Sequence, residues 1–129
     1  MPLTASEALV TELCRLSFLT LWSEPNPIVR QGKELCDLLV VCAPHVVIFS
    51  VKEISFKDTG NTHNDWARWR KKAIDESIKQ IYGAEKWIRR TSRVIHSDGS
   101  PGLLLPKSSE LILHRVAVAL GGDNSVPYQ

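Results

Sequence analysis

Asp37 is an acid set in the apolar stretch Glu34 to Phe56, which reads ELCDLLVVCAPHVVIFSVKEISF. A buried charge is costly unless a partner or a metal ion offsets it. Ser50 and Lys52 lie two residues apart in the same stretch, and on a strand that spacing points both side chains to one face. Hairpin pairing sets residues symmetrically about the turn. If the turn centres between Ala43 and Pro44, Asp37 lies opposite Ser50; if it centres one residue later, Asp37 lies opposite Lys52. In either register Asp37 comes near both, because the Cβ atoms of cross-strand neighbours are only about 4.5–5.5 Å apart. Opposite charges converging on an apolar strand pair are either an internal salt bridge or the floor of a polar pocket suited to a polyanionic substrate.

The elements that must hold these residues are written in the apolar periodicity. Two β-branched runs, Leu38 to Cys42 and Val46 to Phe49, flank Ala43-Pro44-His45 and predict a hairpin. Both faces of each run are mostly apolar, which places them centrally in a sheet covered on both sides. Ahead of them, Leu9, Leu13, Leu16, Leu19 and Leu21 recur at helical spacing and predict a helix over Ser6 to Trp22, capped by Thr4 or Ser6. Glu24-Pro25-Asn26-Pro27 ends it, since proline cannot continue a helix. After the polar loop Asp58 to Asp65, Asn64 or Asp65 caps a long helix from Trp66 to about Arg90. Its stripe Ala73, Ser77, Gln80, Ala84 and Trp87, widened by Ile74, Ile78, Ile81 and Ile88, faces the sheet. Gln80 therefore needs buried partners, which are either the pocket's polar groups or backbone. Leu111 to Leu120 predicts a further strand, and a third is expected in Glu53 to Lys57 or around Arg93 to His96. The order helix, hairpin, long helix, strand predicts an α/β protein, a three-layer α/β/α sandwich around a central mixed sheet.

With those elements in place, Glu12 on the first helix, Asp37 on the first strand, Ser50-Val51-Lys52 on the second and Gln80 on the next helix resemble the PD-(D/E)XK, or restriction-endonuclease-like, nuclease superfamily. The resemblance covers nearly all of the chain, because the element order matches that family's αβββαβ core. It implies a nuclease that hydrolyses the phosphodiester bonds of DNA, ahead of RNA, with Mg²⁺ or Mn²⁺ as cofactor. Asp37 would ligate the cation, and Glu12 would complete the metal site. Lys52 would orient or activate the attacking water and offset charge on the phosphate. Gln80 would match the glutamine that some relatives carry on the following helix. Ser50 would occupy the place of the usual Asp or Glu, and a hydroxyl is a weaker ligand than a carboxylate for a hard cation. The alternative is accordingly a nuclease-like module without catalysis that binds nucleic acid or serves as a scaffold. A third reading is a domain of unrelated function in which Asp37 and Lys52 are only internal glue. Glu7 is the rival helix acid, farther from the helix end that feeds the hairpin. Glu34 and Glu53 have the opposite strand parity to Asp37 and Lys52 and are left out of the site. Many relatives work as homodimers or as parts of longer chains.

Charge adds a second line of argument. From Asp65 to Arg93 there are nine basic residues against four acidic ones, whereas the whole chain carries a net charge of only +2. A basic stripe beside a pocket suits a phosphate backbone. The bland alternative is a solvated helix face with pairs such as Glu76 with Lys72 or Lys79. Trp66 and Trp69 could stack bases, but at helical spacing they read as core. His45, His63, His96 and His114 are scattered without paired ligand spacing and read as structural or exposed. The 129 residues suit one domain over 1–129 with a loose polar tail from 121. Three cysteines without a CxxC pair argue against a disulfide framework or zinc site and read as reduced and buried. With no basic leader and no apolar run long enough to span a bilayer, a cytoplasmic protein without membrane contact is expected.

Overall fold

The computed structural model describes residues 4–18, 23–30 and 33–121. The end expected of the first helix (residues 19–22), the side chain of Cys14 and the tail beyond residue 121 lie outside them. The chain is an α/β protein. It runs α1 (Ala5–Phe18), β1 (Ser23–Pro25), β2 (Ile28–Arg30), β3 (Lys33–Glu34), β4 (Leu38–Cys42) and β5 (His45–Glu53), then α2 (Thr62–Arg70), a π-helical segment (Lys71–Asp75), α3 (Glu76–Ile88), β6 (Arg93–Ile95), β7 (Pro101–Leu104) and β8 (Ile112–Leu120).

The hairpin forms as its composition dictates. β4 pairs antiparallel with β5 about the two-residue turn Ala43-Pro44, with Leu38 opposite Phe49 and Cys42 opposite His45. β1 joins the outer side of β4 antiparallel, and β8 joins β5 parallel, giving a mixed sheet in the order β1-β4-β5-β8. β4 and β5 are thus central, as their apolar faces require. Leu39, Val41, Val46 and Ile48 cluster with Ile81, Ala84 and Ile88 of α3, while the alternate residues Leu38, Val40 and Val51 cluster with Val10 of α1. Removing a side chain such as Leu39 or Ile48 from water contributes about 1.5–3 kcal/mol. Pairing of β5 with β8 runs on past their ends, where Ile54 N–H donates to Leu120 O and Phe56 N–H to Gly121 O. Gly121 makes this continuation with φ +92, and a Cβ there would collide with the Ile54 carbonyl.

Several expectations need correction. Ser23–Pro25 is not merely a helix stop but an edge strand, and Pro25 is tolerated there because it closes the strand at the sheet margin. Arg93–Ile95 is a strand, but it belongs to a separate set ordered β3-β2-β6-β7, which also contains the unforeseen Pro101–Leu104. Helix α1 buries Ser6 and Val10 and leaves Leu9, Leu13 and Leu16 more than half exposed. The Ser6 hydroxyl donates to the Glu53 carboxylate, and Val10 packs against β4 and β5, so these contacts rather than the leucines set which side of α1 meets the sheet. Cys42 is exposed at the end of β4, not buried. The second helix begins at Thr62 because Asn61 caps it, accepting from Asn64 N–H at 3.2 Å. Asp65 instead sits buried in the first turn and accepts from Thr59 N–H at 2.7 Å and Thr59 Oγ1 at 2.5 Å, bonds that hold its carboxyl below the ordinary range. Trp69 is core as expected, stacked on Trp66 and donating from Nε1 to Ile54 O at 2.6 Å. The helix widens at Lys71–Asp75, where Glu76 N–H bonds Lys71 O five residues back. The buried line downstream is therefore Ser77, Ile81, Ala84 and Ile88, while Gln80 is exposed and Trp87 only half-buried.

Candidate functional site

Asp37 occupies the residue just before β4 rather than the strand itself. Its backbone is anchored from the β1–β2 corner, where Asn26, in a left-handed conformation at φ 48, donates its N–H to Asp37 O at 2.9 Å. Its side chain is anchored from the neighbouring strand, with Oδ2 accepting from Val51 N–H at 2.6 Å. The register continues to place Asp37 opposite Ser50, the first of the two pairings the hairpin allowed. Ser50 is buried, and its Oγ donates to Gln80 Oε1 of α3 at 3.3 Å. Gln80 thus reaches Ser50 from an exposed flank of the helix rather than from its buried line.

These residues line an open cleft of about 330 Å³ formed by Lys33, Glu34, Cys36, Asp37, Ser50, Gln80 and Ile81. Two proposed members are not in it. Lys52 lies half-buried two residues beyond Ser50 and does not line the cleft, and among the described residues no ion pair joins it to Asp37. Glu12 is exposed on α1, the helix whose Val10 packs with the alternate face of β4 and β5, and it does not reach the cleft. Glu53, as strand parity required, turns to that other face and meets Ser6.

Glu34 does line the cleft, against the parity argument. That argument assumed one continuous strand, whereas Glu34 ends β3 and the chain from Leu35 to Asp37 is irregular, so alternation does not carry across. No residue type in Leu35-Cys36 signals the break. Burial raises the Glu34 carboxyl above its ordinary value, and the negative charges of Asp37 and Glu7 raise it further. Burial likewise pushes the Cys36 thiol far up, with Asp37 and Glu34 adding to the effect, so it is an unreactive wall of the cleft. Among the described residues no Lys, Arg or His pairs with Asp37 or Glu34 within 4 Å, and no three His, Cys, Asp or Glu side chains cluster closely enough to hold a metal ion. The cleft therefore offers two carboxylates, one hydroxyl and one amide, with Lys33 at its margin.

The nine basic residues from Arg68 to Arg93 are all exposed. The acids paired with them are Asp65, 3.5 Å from Arg68, and Glu85, held by Arg89 at 3.1 Å and Arg115 at 2.7 Å. Among the described ion pairs, the one from Glu76 to Lys72 or Lys79 offered by the solvated-face alternative is absent. Among the described residues no helix is long and apolar enough to cross a membrane. No protein-family model, curated protein or solved structure matches the chain.

Proposed function

We propose that the chain is a divalent-metal-dependent nuclease of the restriction-endonuclease-like kind, its helices and mixed sheet arranged as a three-layer α/β/α sandwich. The observation that carries this reading is the meeting of Asp37, just before β4, with Ser50 of β5 and Gln80 of α3 in one open cleft that also contains Glu34. Mg²⁺ is usually held by one or two carboxylates, with water and substrate phosphates as the remaining ligands. Asp37 and Glu34 supply two such carboxylates to one cleft, where partial burial first and the charge of Asp37 second raise the Glu34 carboxyl, a state that a cation between them would relieve. In this reading Glu34 takes the part first assigned to Glu12.

When bound, the cation supplies an acidified water and neutralises charge on the phosphate. The chain's residues do the rest. Val51 N–H fixes one oxygen of Asp37, leaving the carboxylate oriented toward the cleft. Ser50 and Gln80 hold each other and present a polar wall that positions substrate oxygens. Lys33 on β3, at the cleft margin, is the nearer source of ammonium charge for the scissile phosphate, and Lys52, two residues beyond Ser50 on β5 and outside the lining, is the more distant one. The exposed basic residues along α2, the π-helical segment and α3 offer charge to the adjoining backbone of DNA, ahead of RNA.

The direct experiment is incubation of purified protein with DNA and RNA in Mg²⁺ or Mn²⁺. Cleavage is expected, and it is expected to vanish in Asp37→Ala and Glu34→Gln. Lys33→Ala and Lys52→Ala each lower it, the more sensitive position identifying the working ammonium. Cleavage by Asp37→Ala at the parent's rate ends the proposal. One observation favours a second reading, a module that binds nucleic acid without cutting it: Ser50 stands where an acid is usual, and its hydroxyl is committed to Gln80. That reading predicts salt-sensitive DNA binding with no cleavage and no calorimetric signal for Mn²⁺.

A further inference from the structure

At the turn end of the hairpin, away from the cleft, the register assembles a different set of donors. His45 opens β5 and His114 lies near the start of β8. Both are exposed, and His45 Nδ1 stands 3.0 Å from His114 Nε2, with the ring centroids 5.3 Å apart. Strand alternation puts both on the side of the sheet that carries Val47 and Val51, opposite to the side of Asp37 and Ser50. The two histidines are far apart in sequence, and only the parallel pairing of β5 with β8 brings them together.

Two imidazole nitrogens at this distance share a proton when one ring is the donor. When both rings are neutral and carry their hydrogens on the outward nitrogens, His45 Nε2 and His114 Nδ1, the two facing nitrogens each keep a lone pair, and a small rotation of the two exposed, stacked rings turns both lone pairs onto one metal ion. Metal–nitrogen bonds run to about 2.0–2.1 Å, so nitrogens 3.0 Å apart subtend about 90° at the metal, while a tetrahedral centre needs them about 3.3 Å apart. A right-angle pair of nitrogen donors matches square-planar or tetragonal Cu²⁺ and Ni²⁺ better than Zn²⁺, and imidazole is a poor ligand for hard Mg²⁺. Cys42 faces His45 across the hairpin and is exposed, yet no three potential ligands cluster closely enough to share an ion among the described residues. The pair supplies two donors, and water completes the coordination.

We propose that His45 and His114 form a surface binding site for a square-planar divalent transition metal, Cu²⁺ or Ni²⁺, distinct from the carboxylate cleft. The site stands on its own geometry and does not depend on the nuclease reading. The test is calorimetric titration of the untagged full chain with Cu²⁺ and with Ni²⁺, joined to electron paramagnetic resonance of the Cu²⁺ form. One equivalent bound per chain is expected, with a tetragonal spectrum split by two nitrogens. His45→Ala and His114→Ala should each weaken binding at least about tenfold, and the double variant should lose the two-nitrogen signal. Both side chains are exposed, so unchanged circular dichroism and melting temperature serve as the folding control. His63→Ala/His96→Ala and Cys42→Ser should bind as the parent does. Absence of Cu²⁺ and Ni²⁺ binding, retention of the signal in the His45/His114 double variant, or its loss in Cys42→Ser overturns the proposal.

Discussion

Glu85 and Glu34 are two acids near the same helix with opposite surroundings. Glu85, on α3, is buried and gripped by Arg115 through Nε at 3.3 Å and Nη2 at 2.7 Å, and by Arg89 at 3.1 Å. Arg115 also lies over the Tyr82 ring, 4.9 Å from its centroid. Burial alone would raise the Glu85 carboxyl, but the hydrogen bonds and charges of the two arginines outweigh it and hold the group below its ordinary value. Glu34, in the cleft, is raised by burial first and then by the charges of Asp37 and Glu7, and among the described residues no cation pairs with it within 4 Å. An acid that serves the fold comes with its cations. An acid set beside another acid, with no cation paired to either, leaves negative potential for something outside the chain to satisfy.

The widest separation between the two regions should be in activity. Under the nuclease proposal, Asp37→Ala is expected to cut DNA cleavage by about 1000-fold or more, as removal of a proposed cation ligand would, whereas Glu85→Gln should stay within about twofold of the parent per folded molecule. Single-turnover cleavage assays read both, and equal losses would erase the distinction. In stability the order reverses. Glu85→Gln leaves two guanidinium groups without their acid and should cost about 1–2 kcal/mol in urea unfolding, less than for a fully enclosed pair because the arginine side chains are 42% exposed. Glu34→Gln should do the opposite, raising stability at pH 7 by less than about 1 kcal/mol, since Glu34 is only partly covered and solvent still screens it.

The subtlest expectation is the dependence of those differences on pH. The folded-state carboxyl of Glu34 is raised above 4.5, so its ionised form opposes folding at neutral pH, and that cost fades as pH falls through the folded value. The advantage of Glu34→Gln should therefore shrink as pH drops from 7 toward 4.5. Glu85 is lowered, so its contribution is complete above 4.5 and disappears only as pH falls through its lower folded value. The deficit of Glu85→Gln should persist to more acidic pH than the Glu34→Gln gain. Thermal melts across the range measure both, and parallel curves for the two variants would show that the acids are not in contrasting environments.

Much of this was legible from residue types. The β-branched runs around Ala43-Pro44 define the hairpin to the residue at Leu38 and Cys42, and one of the two registers deduced from symmetry is the one formed. The hairpin symmetry that placed Ser50 opposite Asp37 is short-range and survives folding. What was not legible depends on irregular or distant structure. Glu34 reaches the cleft because the backbone between it and Asp37 abandons strand geometry. Asp37 forms no ion pair with Lys52 among the described residues, and what anchors its Oδ2 is the backbone amide of Val51, a partner that side-chain types do not announce. The leucines of α1 signal a helix but not its orientation, which a single hydroxyl–carboxylate contact and one valine settle. His45 with His114, and Glu85 with Arg115, rest on the β5–β8 crossover and on tertiary packing, which no local pattern announces.

The wide turn at Lys71–Asp75 has its own consequence. Trp69, Ala73, Ser77 and Ile81 are all buried, three successive steps of four residues. In an unbroken α-helix each such step overshoots a full turn by about 40°, so the last would stand roughly 120° round from the first. The five-residue hydrogen-bonded ring at Lys71–Asp75 absorbs much of that surplus, acting as a phase corrector between the indole that grips Ile54 and the amide that grips Ser50. Deleting one residue there would yield a more regular helix whose two anchors no longer keep step, so natural variants of this chain are expected to conserve the number of residues between Trp69 and Gln80 more strictly than their identity.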